Sequence, residues 1–356
     1  MFREREDPDV RILAIDLGKQ KSVACVYEAE TGSHRYQTVM TSPGALHELV
    51  VETAPHRVVI EIGPTAGWVY DLVTAMEVPI EVANPSHEGW RWRRIKNKSD
   101  RRDALKLAQL SSSNQLPQVH MPSPEVRQWR ELIQYRQSLV KRRTAIKNSI
   151  RSILTRMSLR MPAGASGWTR KSMTRLHELA MVEDGQVWRL SLSEELQQLE
   201  FLERSIKRVE AHLGQIGRGH PRVQQLKRIK GVGDRLAEAV VAVIDDPHRF
   251  RTGRQVGSYV GLTPRQFQSG SMDRQGRISG QGHRTLRTLL IQVAWLGLRR
   301  NNWMKELYER VRRGSDARKK IAIVAVARKL LIRCWAMMRD GTGWRDPQQA
   351  ALRLAA

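Results

Sequence analysis

The order of its hydrophobic segments is the feature that most constrains how the first part of this chain can fold. Short runs rich in β-branched residues alternate with segments of helical periodicity, and turn residues separate them. The predicted strands cover residues 10–16, 22–27, 34–40, 57–62 and 79–83. The predicted helices cover residues 43–53, 67–77 and 99–110. The sequence therefore predicts three strands followed by helix, strand, helix, strand and helix.

This order is that of a ribonuclease-H-like α/β fold, in which an antiparallel meander is followed by parallel strands with helical crossovers. In that fold one acid lies on the first strand and another at the end of the fourth strand, which neighbours the first. Asp16 after ILAI and Glu61 after VVI occupy those places. A charged side chain within an apolar strand costs several kcal/mol unless it is paired or coordinates a metal ion, so both acids need an explanation.

Two further acids begin the last predicted helix of this region. Ser99 is a favourable N-cap, and Asp100 and Asp103 follow it at a spacing that puts both carboxylates on one helix face. In the structural alternative, Asp100 and Asp103 only suit the helix dipole, and Asp16 and Glu61 only end their strands. In the functional alternative, all four carboxylates converge on one site. Four converging carboxylates would hold two Mg²⁺ ions about 4 Å apart, next to the oxygens of a phosphodiester. Each acid alone favours the structural alternative, whereas the four together favour the metal site.

The charge of the chain predicts a polyanionic partner. Its 356 residues are enough for two or three domains, and they contain 61 Lys and Arg against 36 Asp and Glu, a formal net charge of +25. Such an excess is typical of nucleic-acid-binding proteins, although a peripheral membrane protein could also carry it. No apolar run is long enough to cross a bilayer, the N-terminus does not resemble a signal peptide, and two cysteines, Cys25 and Cys334, indicate a reducing compartment. We therefore expect a cytoplasmic protein without membrane contacts.

A basic segment with two tryptophans lies before the helix that carries Asp100 and Asp103. Residues 84–98 contain the tryptophans among several cations. Cations can contact phosphates, and tryptophans can stack on bases or cover apolar surface. The alternative is a solvated basic loop with its tryptophans packed inward. Next to a metal site we favour nucleic-acid contact, through Arg93, Arg94 and Lys98.

Two heptad-patterned helices are predicted in the middle of the chain. Apolar residues recur at heptad spacing from residue 125 to residue 160 and again over 192–216, and the MPAGASG segment interrupts them. This pattern predicts an antiparallel coiled coil with a short irregular connection. The predicted domains are a catalytic domain at 1–115, a linker and coiled coil at 116–220, and a helical domain at 221–356.

The C-terminal region is predicted to be helical. Residues 226–245 are typical of a helix-hairpin-helix, whose turn amides can hold a DNA phosphate. Further helices are predicted at 283–298 and 316–338.

A glycine- and arginine-rich loop is predicted before the first of these helices, and it contains Ser269. Such a serine is usually a turn residue, but it can also attack phosphorus when cations lie around the phosphate. The candidate cations are Arg265, Arg274 and Arg277. Spacing alone does not distinguish Ser269 from Ser258, Ser271 or Ser279.

Several blocks of the sequence resemble the DEDD transposases of the insertion-sequence family numbered one hundred and ten, whose recombination is guided by a bridge RNA. The blocks are ILAIDLGKQKSVACV, VVIEIGPTAGW, EVANPS, KNKSDRRDALKLA, LKRIKGVG, GSYVGLTPRQFQSG and GRISGQGHRTLRTLL. The resemblance covers nearly the whole chain, and the last two blocks are the most specific.

This resemblance implies a RuvC-like (ribonuclease-H-like) catalytic domain, a coiled coil and a helical transposase domain with a serine nucleophile. By motif, the acids are Asp16, Glu61, Asp100 and Asp103, and the serine is Ser269. The resemblance further implies a covalent DNA–phosphoserine intermediate, Mg²⁺ as cofactor, and a bridge RNA that pairs with donor and target DNA. Because two DNAs are joined, we expect a homodimer or a dimer of dimers.

Three functions stay open at this point. An RNA-guided recombinase would use the acids, Ser269 and the RNA. A structure-selective, Mg²⁺-dependent junction nuclease of the RuvC type would need the acids alone, and a non-catalytic nucleic-acid-binding protein would need only the basic surface. The long C-terminal region favours the recombinase over the nuclease, and the intact acids disfavour the non-catalytic protein.

Overall fold

The computed structural model describes residues 10–84, 99–269 and 272–344, and it gives the backbone alone at residues 269, 272, 273 and 275. The chain divides into two compact units, Met1–Pro124 and Glu125–Ala356. The finer division at residues 115 and 220 stays a prediction. Among the described helices, none is long and apolar enough to cross a membrane.

The first unit is built on a mixed sheet. Its described strands are β1 (Arg11–Asp16), β2 (Lys21–Glu28), β3 (His34–Met40), β4 (Arg57–Glu61) and β5 (Ile80–Ala83). Their order in the sheet is β3-β2-β1-β4-β5, with β1, β2 and β3 antiparallel and with β4 parallel to both β1 and β5. The predicted meander, parallel strands and β1–β4 adjacency are confirmed.

Three helices cover the two faces of this sheet: α1 (Pro43–Thr53), α2 (Ala66–Ala75) and α3 (Asp100–Ser112). Side chains alternate between the faces along each strand. Leu13 and Ile15 of β1 are buried in a cluster with apolar residues of α1 and α2. Ile12 and Ala14 are buried in a second cluster with residues of α3. The helices thus sandwich a sheet that is buried on both faces.

The second unit contains two long helices, α4 (Pro124–Arg156) and, further along, α6 (Val187–Gly219). Leu139 of α4 is buried in a cluster with Leu202 and Ile206 of α6. Further along α4, the Ser149 hydroxyl donates to Glu195 Oε1 over 2.6 Å. A residue later in α4 thus contacts a residue earlier in α6, so the two helices are antiparallel, as predicted. The knobs-into-holes packing of a coiled coil stays a prediction.

The connection between these helices contains a further helix, α5 (Arg170–Met181), after a short 3₁₀ turn at Gly164–Trp168. The prediction of a short irregular connection is therefore wrong. Thr169 caps α5 by accepting a hydrogen bond from the Ser172 amide. Only Leu176 of α5 is fully buried, in the cluster that joins the ends of α4 and α6. Met173 and Leu179 pack partly buried against the same cluster, and with Leu176 they recur at helical spacing, so the sequence did carry a periodic signal for this helix.

The remainder of this unit is a helical core with a β-hairpin. Its helices are α7 (Pro221–Lys227), α8 (Asp234–Ile244), α9 (Gly253–Tyr259), α10 (Arg284–Gly297), α11 (Asn302–Arg312) and α12 (Lys319–Asp340), with 3₁₀ turns at Pro247–Arg249 and Asp316–Arg318. α7 and α8 flank a turn in which Gly231 has φ +96°. The first helix of the predicted helix-hairpin-helix therefore lies earlier than expected, and DNA binding by this turn stays a prediction.

The hairpin corrects another expectation. The segment predicted as a glycine- and arginine-rich loop forms strands β6 (Pro264–Ser269) and β7 (Met272–Ile278), which pair antiparallel. Nearly half of the residues in these two strands are Gln or Arg, so the hydrophobic alternation that signals a strand is missing. At its base, Gly261 and Gly282 have positive φ, and a Cβ at either would fall about 2 Å from a carbonyl oxygen.

Candidate active site

Asp16 and Glu61 end two neighbouring parallel strands. Ile15 of β1 pairs with Ile60 of β4, so the next residue of each strand, Asp16 or Glu61, lies at the same level of the sheet. Adjacent strands are about 4.8 Å apart. Both acids are partly buried. The sheet thus places two carboxylates side by side at the carboxyl ends of β1 and β4.

Strand alternation places both acids on the face of the sheet that α3 covers. Ala14 and Val59 each precede an acid by two residues, and both are buried in the cluster that contains Leu107 of α3. Residues two apart on a strand lie on one face. Asp16 and Glu61 therefore share that face.

The same face receives the acids of α3. The buried stripe of α3 consists of Ala104, Leu107, Ala108 and Ser111. Asp100 precedes Ala104 by four residues and Asp103 precedes Leu107 by four, so both extend this stripe by one turn toward the start of the helix. Asp103 is partly buried and Asp100 is exposed.

A hydrogen bond fixes the direction of α3. Arg57 Nη2, at the start of β4, donates to the Ser111 carbonyl oxygen, at the end of α3, over 2.9 Å. The end of α3 therefore lies over the starts of the parallel strands, and its beginning lies toward their carboxyl ends. Sequence reasoning predicted these four acids, and the structure brings them to one end of one sheet face.

The beginning of α3 is capped as predicted. The Ser99 hydroxyl accepts from the Arg102 amide over 3.4 Å. The N-terminal end of a helix carries a partial positive charge, which favours acids in the first turn. Burial lowers the pKa of Lys106, and the charge of Asp103 opposes that lowering. Asp103 thus lies within the electrostatic reach of a cation on its own helix.

The donor set of this site fits Mg²⁺. Within the described residues, no group of three or more His, Cys, Asp or Glu side chains stands close enough together to hold one metal ion. Mg²⁺ is usually bound by only one or two carboxylates, with waters and substrate phosphates as the other ligands. Asp16 and Glu61 supply two hard oxygen donors on adjacent strands. These two acids are sufficient for a site that is completed by a phosphate.

The hairpin carries the candidate nucleophile. Ser269 is the last residue of β6 and pairs with Met272 of β7. Arg265, Arg274 and Arg277 are exposed, and Arg265 Nη2 donates to the Ser279 carbonyl oxygen over 3.2 Å. Among the alternative serines, Ser258 lies on α9 with its hydroxyl 3.4 Å from that of Thr263. Sequence reasoning missed Phe267, an exposed aromatic of the same hairpin.

His283, which precedes α10, is not suited to deprotonate the serine. Its Nδ1 accepts a hydrogen bond from the Leu286 amide over 3.4 Å. Burial, together with the charges of Arg130 and Arg287, lowers the pKa of His283 to about 4. The ring is therefore neutral at pH 7, and a neutral ring whose Nδ1 accepts carries its proton on Nε2. His283 caps a helix and has no free lone pair for another proton.

The basic loop is the one predicted nucleic-acid contact that the structure does not place. Arg93, Arg94 and Lys98 lie outside the described residues, so their role stays a prediction.

Two families of known proteins match this chain. A family described as "Transposase", of the DEDD type, matches residues 13–159, which contain Asp16, Glu61, Asp100 and Asp103. The family described as "Transposase IS116/IS110/IS902 family" matches residues 223–309, which contain the β6–β7 hairpin and Ser269.

Individual relatives agree with these matches. The transposase for insertion sequence element IS1111A of Coxiella burnetii is 30% identical, over 94% of this chain and 92% of the relative. A probable family 20 transposase of Pseudomonas aeruginosa is 32% identical, over 70% of this chain and 74% of the relative. A putative transposase of Sinorhizobium fredii is 31% identical, over 81% of this chain and 78% of the relative. A chain that shares this much sequence over nearly its whole length, with its acids and its serine inside the matched regions, belongs to the IS116/IS110/IS902 family of transposases.

Proposed function

We propose that this protein is an RNA-guided DNA recombinase that cleaves and rejoins the ends of its insertion sequence through a phosphoserine intermediate. The observation that carries the proposal is that Asp16 and Glu61 end neighbouring parallel strands, while Asp100 and Asp103 begin the helix that covers the same face of the sheet. Family membership supports a transposase, and a transposase acts on DNA. The serine, the metal ion and the guide RNA go beyond that membership.

Ser269 is the proposed nucleophile. Its Oγ attacks the phosphorus of the scissile phosphodiester, so that a serine–phosphate bond forms and the bond to one deoxyribose oxygen breaks. The serine loses its proton, and the freed deoxyribose oxygen gains one. Because the new ester conserves the phosphodiester, attack by a hydroxyl of the partner DNA releases the serine and seals a new strand.

The four acids are the proposed Mg²⁺ ligands. Asp16 and Glu61 would hold the ion from the sheet, with Asp103 and Asp100 as further ligands from α3. When bound, Mg²⁺ stabilises negative charge on the phosphate oxygens. A carboxylate is also the proposed acceptor of the serine proton, because His283 has no lone pair free for it.

The proposed partners are donor DNA, target DNA and a bridge RNA that pairs with both. The net charge of +25 and the exposed Arg265, Arg274 and Arg277 support binding to phosphates. The guide RNA rests on the resemblance alone. We further propose that a homodimer or a dimer of dimers acts in the cytoplasm, with the α4–α6 pair as a coiled coil that takes part in assembly.

A structure-selective junction nuclease of the RuvC type is the alternative. It is favoured by one observation, namely that all four acids lie within Met1–Pro124, so metal-dependent hydrolysis would need nothing from the second unit. Such an enzyme would use water as its nucleophile and would leave free DNA ends.

The two functions differ in whether protein becomes attached to DNA. With guide RNA and both DNAs present, the wild type should form a protein–DNA adduct that survives denaturing electrophoresis. Ser269→Ala should bind DNA normally and form no adduct, whereas Ser258→Ala and Ser279→Ala should still form it. An adduct from Ser269→Ala would exclude this serine, and unchanged cleavage by Ser269→Ala would establish the nuclease.

A further inference from the structure

The β6–β7 hairpin exposes one aromatic ring. Phe267 lies in the middle of β6 and is 53% exposed. Single exposed apolar residues are common on proteins, so this exposure alone assigns no role. The way in which the hairpin holds the ring is more informative.

Gly276 of β7 makes room for the ring. A Cβ at Gly276 would lie 2.9 Å from Cε2 of Phe267, which is closer than real Cβ contacts allow. The backbone of Gly276 is not in the left-handed region, so its conformation does not require glycine. A side chain at 276 would instead have to displace the exposed ring from its place. The ring therefore lies next to Gly276 of the neighbouring strand, and about half of its surface is exposed.

Two arginines neighbour Phe267 in the pairing of the hairpin. Arg274 is directly opposite Phe267 in the register of the hairpin, and Arg265 lies two residues before it on β6. Both are exposed. Proteins that bind single-stranded nucleic acid combine an aromatic ring, on which a base stacks, with cations that contact the backbone phosphates. The hairpin offers this combination within one short ribbon.

The position of the ring along β6 relates it to the chemistry. Ser269 follows Phe267 by two residues, about 7 Å along an extended strand. The spacing between neighbouring phosphates of a DNA strand is of the same size. A base that stacks on Phe267 would therefore belong to a nucleotide next to the phosphate that Ser269 attacks.

We propose that Phe267 is a stacking platform for an unpaired DNA base beside the scissile phosphate, with Arg265 and Arg274 on the neighbouring phosphates. This inference rests on the proposed function for the identity of the strand. Every base has an aromatic face, so such a platform holds DNA of any sequence and leaves the choice of sequence to other parts of the complex.

Affinity for single strands tests the platform. The variants are Phe267→Leu and Phe267→Trp, with Phe201→Leu as the matched control, because Phe201 on α6 is 56% exposed. The probe is a short single-stranded DNA of mixed sequence, compared with the blunt duplex of the same sequence at raised salt. Phe267→Leu should bind the single strand about 5- to 150-fold more weakly and the duplex as the wild type does. Phe267→Trp and Phe201→Leu should bind both probes as the wild type does.

Either of two results would overturn the platform. One is wild-type affinity of Phe267→Leu for the single strand, and the other is an equal loss for single strand and duplex. Photocrosslinking of the wild type to iodouracil-substituted single strands gives a direct reading that needs no variant. The crosslinked peptide should contain Phe267, and crosslinks that map only to other elements would exclude stacking there.

These readouts are independent of the nucleophile. If Ser269→Ala still forms the DNA adduct, the proposed chemistry fails, while single-strand affinity and the crosslink still decide the role of Phe267. If Phe267→Leu binds single strands normally but Ser269→Ala forms no adduct, the platform fails and the chemistry stands.

Discussion

Arg57 Nη2 donates a 2.9 Å hydrogen bond to the carbonyl oxygen of Ser111. This contact ties the start of β4 to the end of α3, so the acids at the beginning of α3 are held toward the opposite end of the strands. There they reach the end of the sheet where Asp16 and Glu61 lie. Arg57 thus helps to position Asp100 and Asp103, although it lies at the other end of α3.

Loss of this contact should weaken the first unit and its activity together. Arg57→Ala leaves the helix-end carbonyl without its charged donor, which should lower the free energy of unfolding by about 1–3 kcal/mol. Denaturant unfolding measures the loss, and DNA cleavage should need more Mg²⁺ because α3 is less firmly held. Arg35→Ala, an exposed position on β3, is the control and should change neither property. Equal behaviour of the two variants would mean that the hydrogen bond does not position α3.

The strand acids should be needed for chemistry but not for folding. Asp16→Asn and Glu61→Gln should each abolish strand cleavage, because a neutral amide is a much poorer Mg²⁺ ligand than the carboxylate that it replaces. Mg²⁺ should raise the Tm of the wild type and not that of either variant, which reports binding without activity. Glu48→Gln, on the exposed side of α1, should behave as the wild type does. Cleavage by Asp16→Asn in the presence of a chelator would exclude the metal site.

The basic loop should contribute to the salt dependence of DNA binding. Each phosphate contact contributes a slope of about 0.7–0.9 to the plot of log affinity against log salt. Reversal of Arg93, Arg94 and Lys98 to Glu should therefore flatten the slope by about 2 to 3. Titrations over a range of salt concentrations measure it. An unchanged slope would place these cations away from the DNA.

A buried acid in the second unit should make stability depend on pH. Glu238 of α8 is 1% exposed and forms an ion pair with Arg235 at 3.0 Å. Burial nevertheless raises the pKa of Glu238 from 4.5 to about 7. Between pH 4.5 and about 7 the folded state therefore binds more protons than the unfolded state. The free energy of unfolding is highest below pH 4.5 in this respect, and it decreases as pH rises through about 7.

Glu238→Gln should remove this dependence. The free energy of unfolding of the wild type should fall by up to a few kcal/mol between mildly acidic and neutral pH, since each pKa unit is worth about 1.4 kcal/mol. The variant should have a flatter profile in denaturant unfolding at several pH values. Glu194→Gln, exposed on α6, should keep the wild-type profile. The same slope in Glu238→Gln would assign the dependence to another group.

The first unit could be predicted from sequence because its signals are local and agree with one another. Leu13 and Ile15 on one face of β1, and Ile12 and Ala14 on the other, give the continuous apolar run of a strand buried on both sides. Ser99 is a typical N-cap residue and therefore predicts the start of α3. An acid that follows such a run is conspicuous, so Asp16 and Glu61 were recognisable before their neighbourhood was known.

Elements of the second unit were missed for two different reasons. Met173, Leu176 and Leu179 of α5, and Met304 and Leu307 of α11, recur at helical spacing, so both helices had a periodic signal that the prediction did not use. The hairpin has polar strands that lack apolar alternation, so their pairing could not be read from local sequence. Phe267 could have been noticed as an aromatic among polar residues, but its relation to Gly276 exists only once the strands pair.

The contact between Phe267 and Gly276 also limits how this sequence can diverge. Any side chain at 276 would displace the ring, and loss of the ring would remove the need for glycine. The two positions should therefore change together among the transposases of this family. A relative with an aromatic residue at the position of Phe267 should keep glycine at the position of Gly276. A relative without that aromatic residue should be free to replace the glycine.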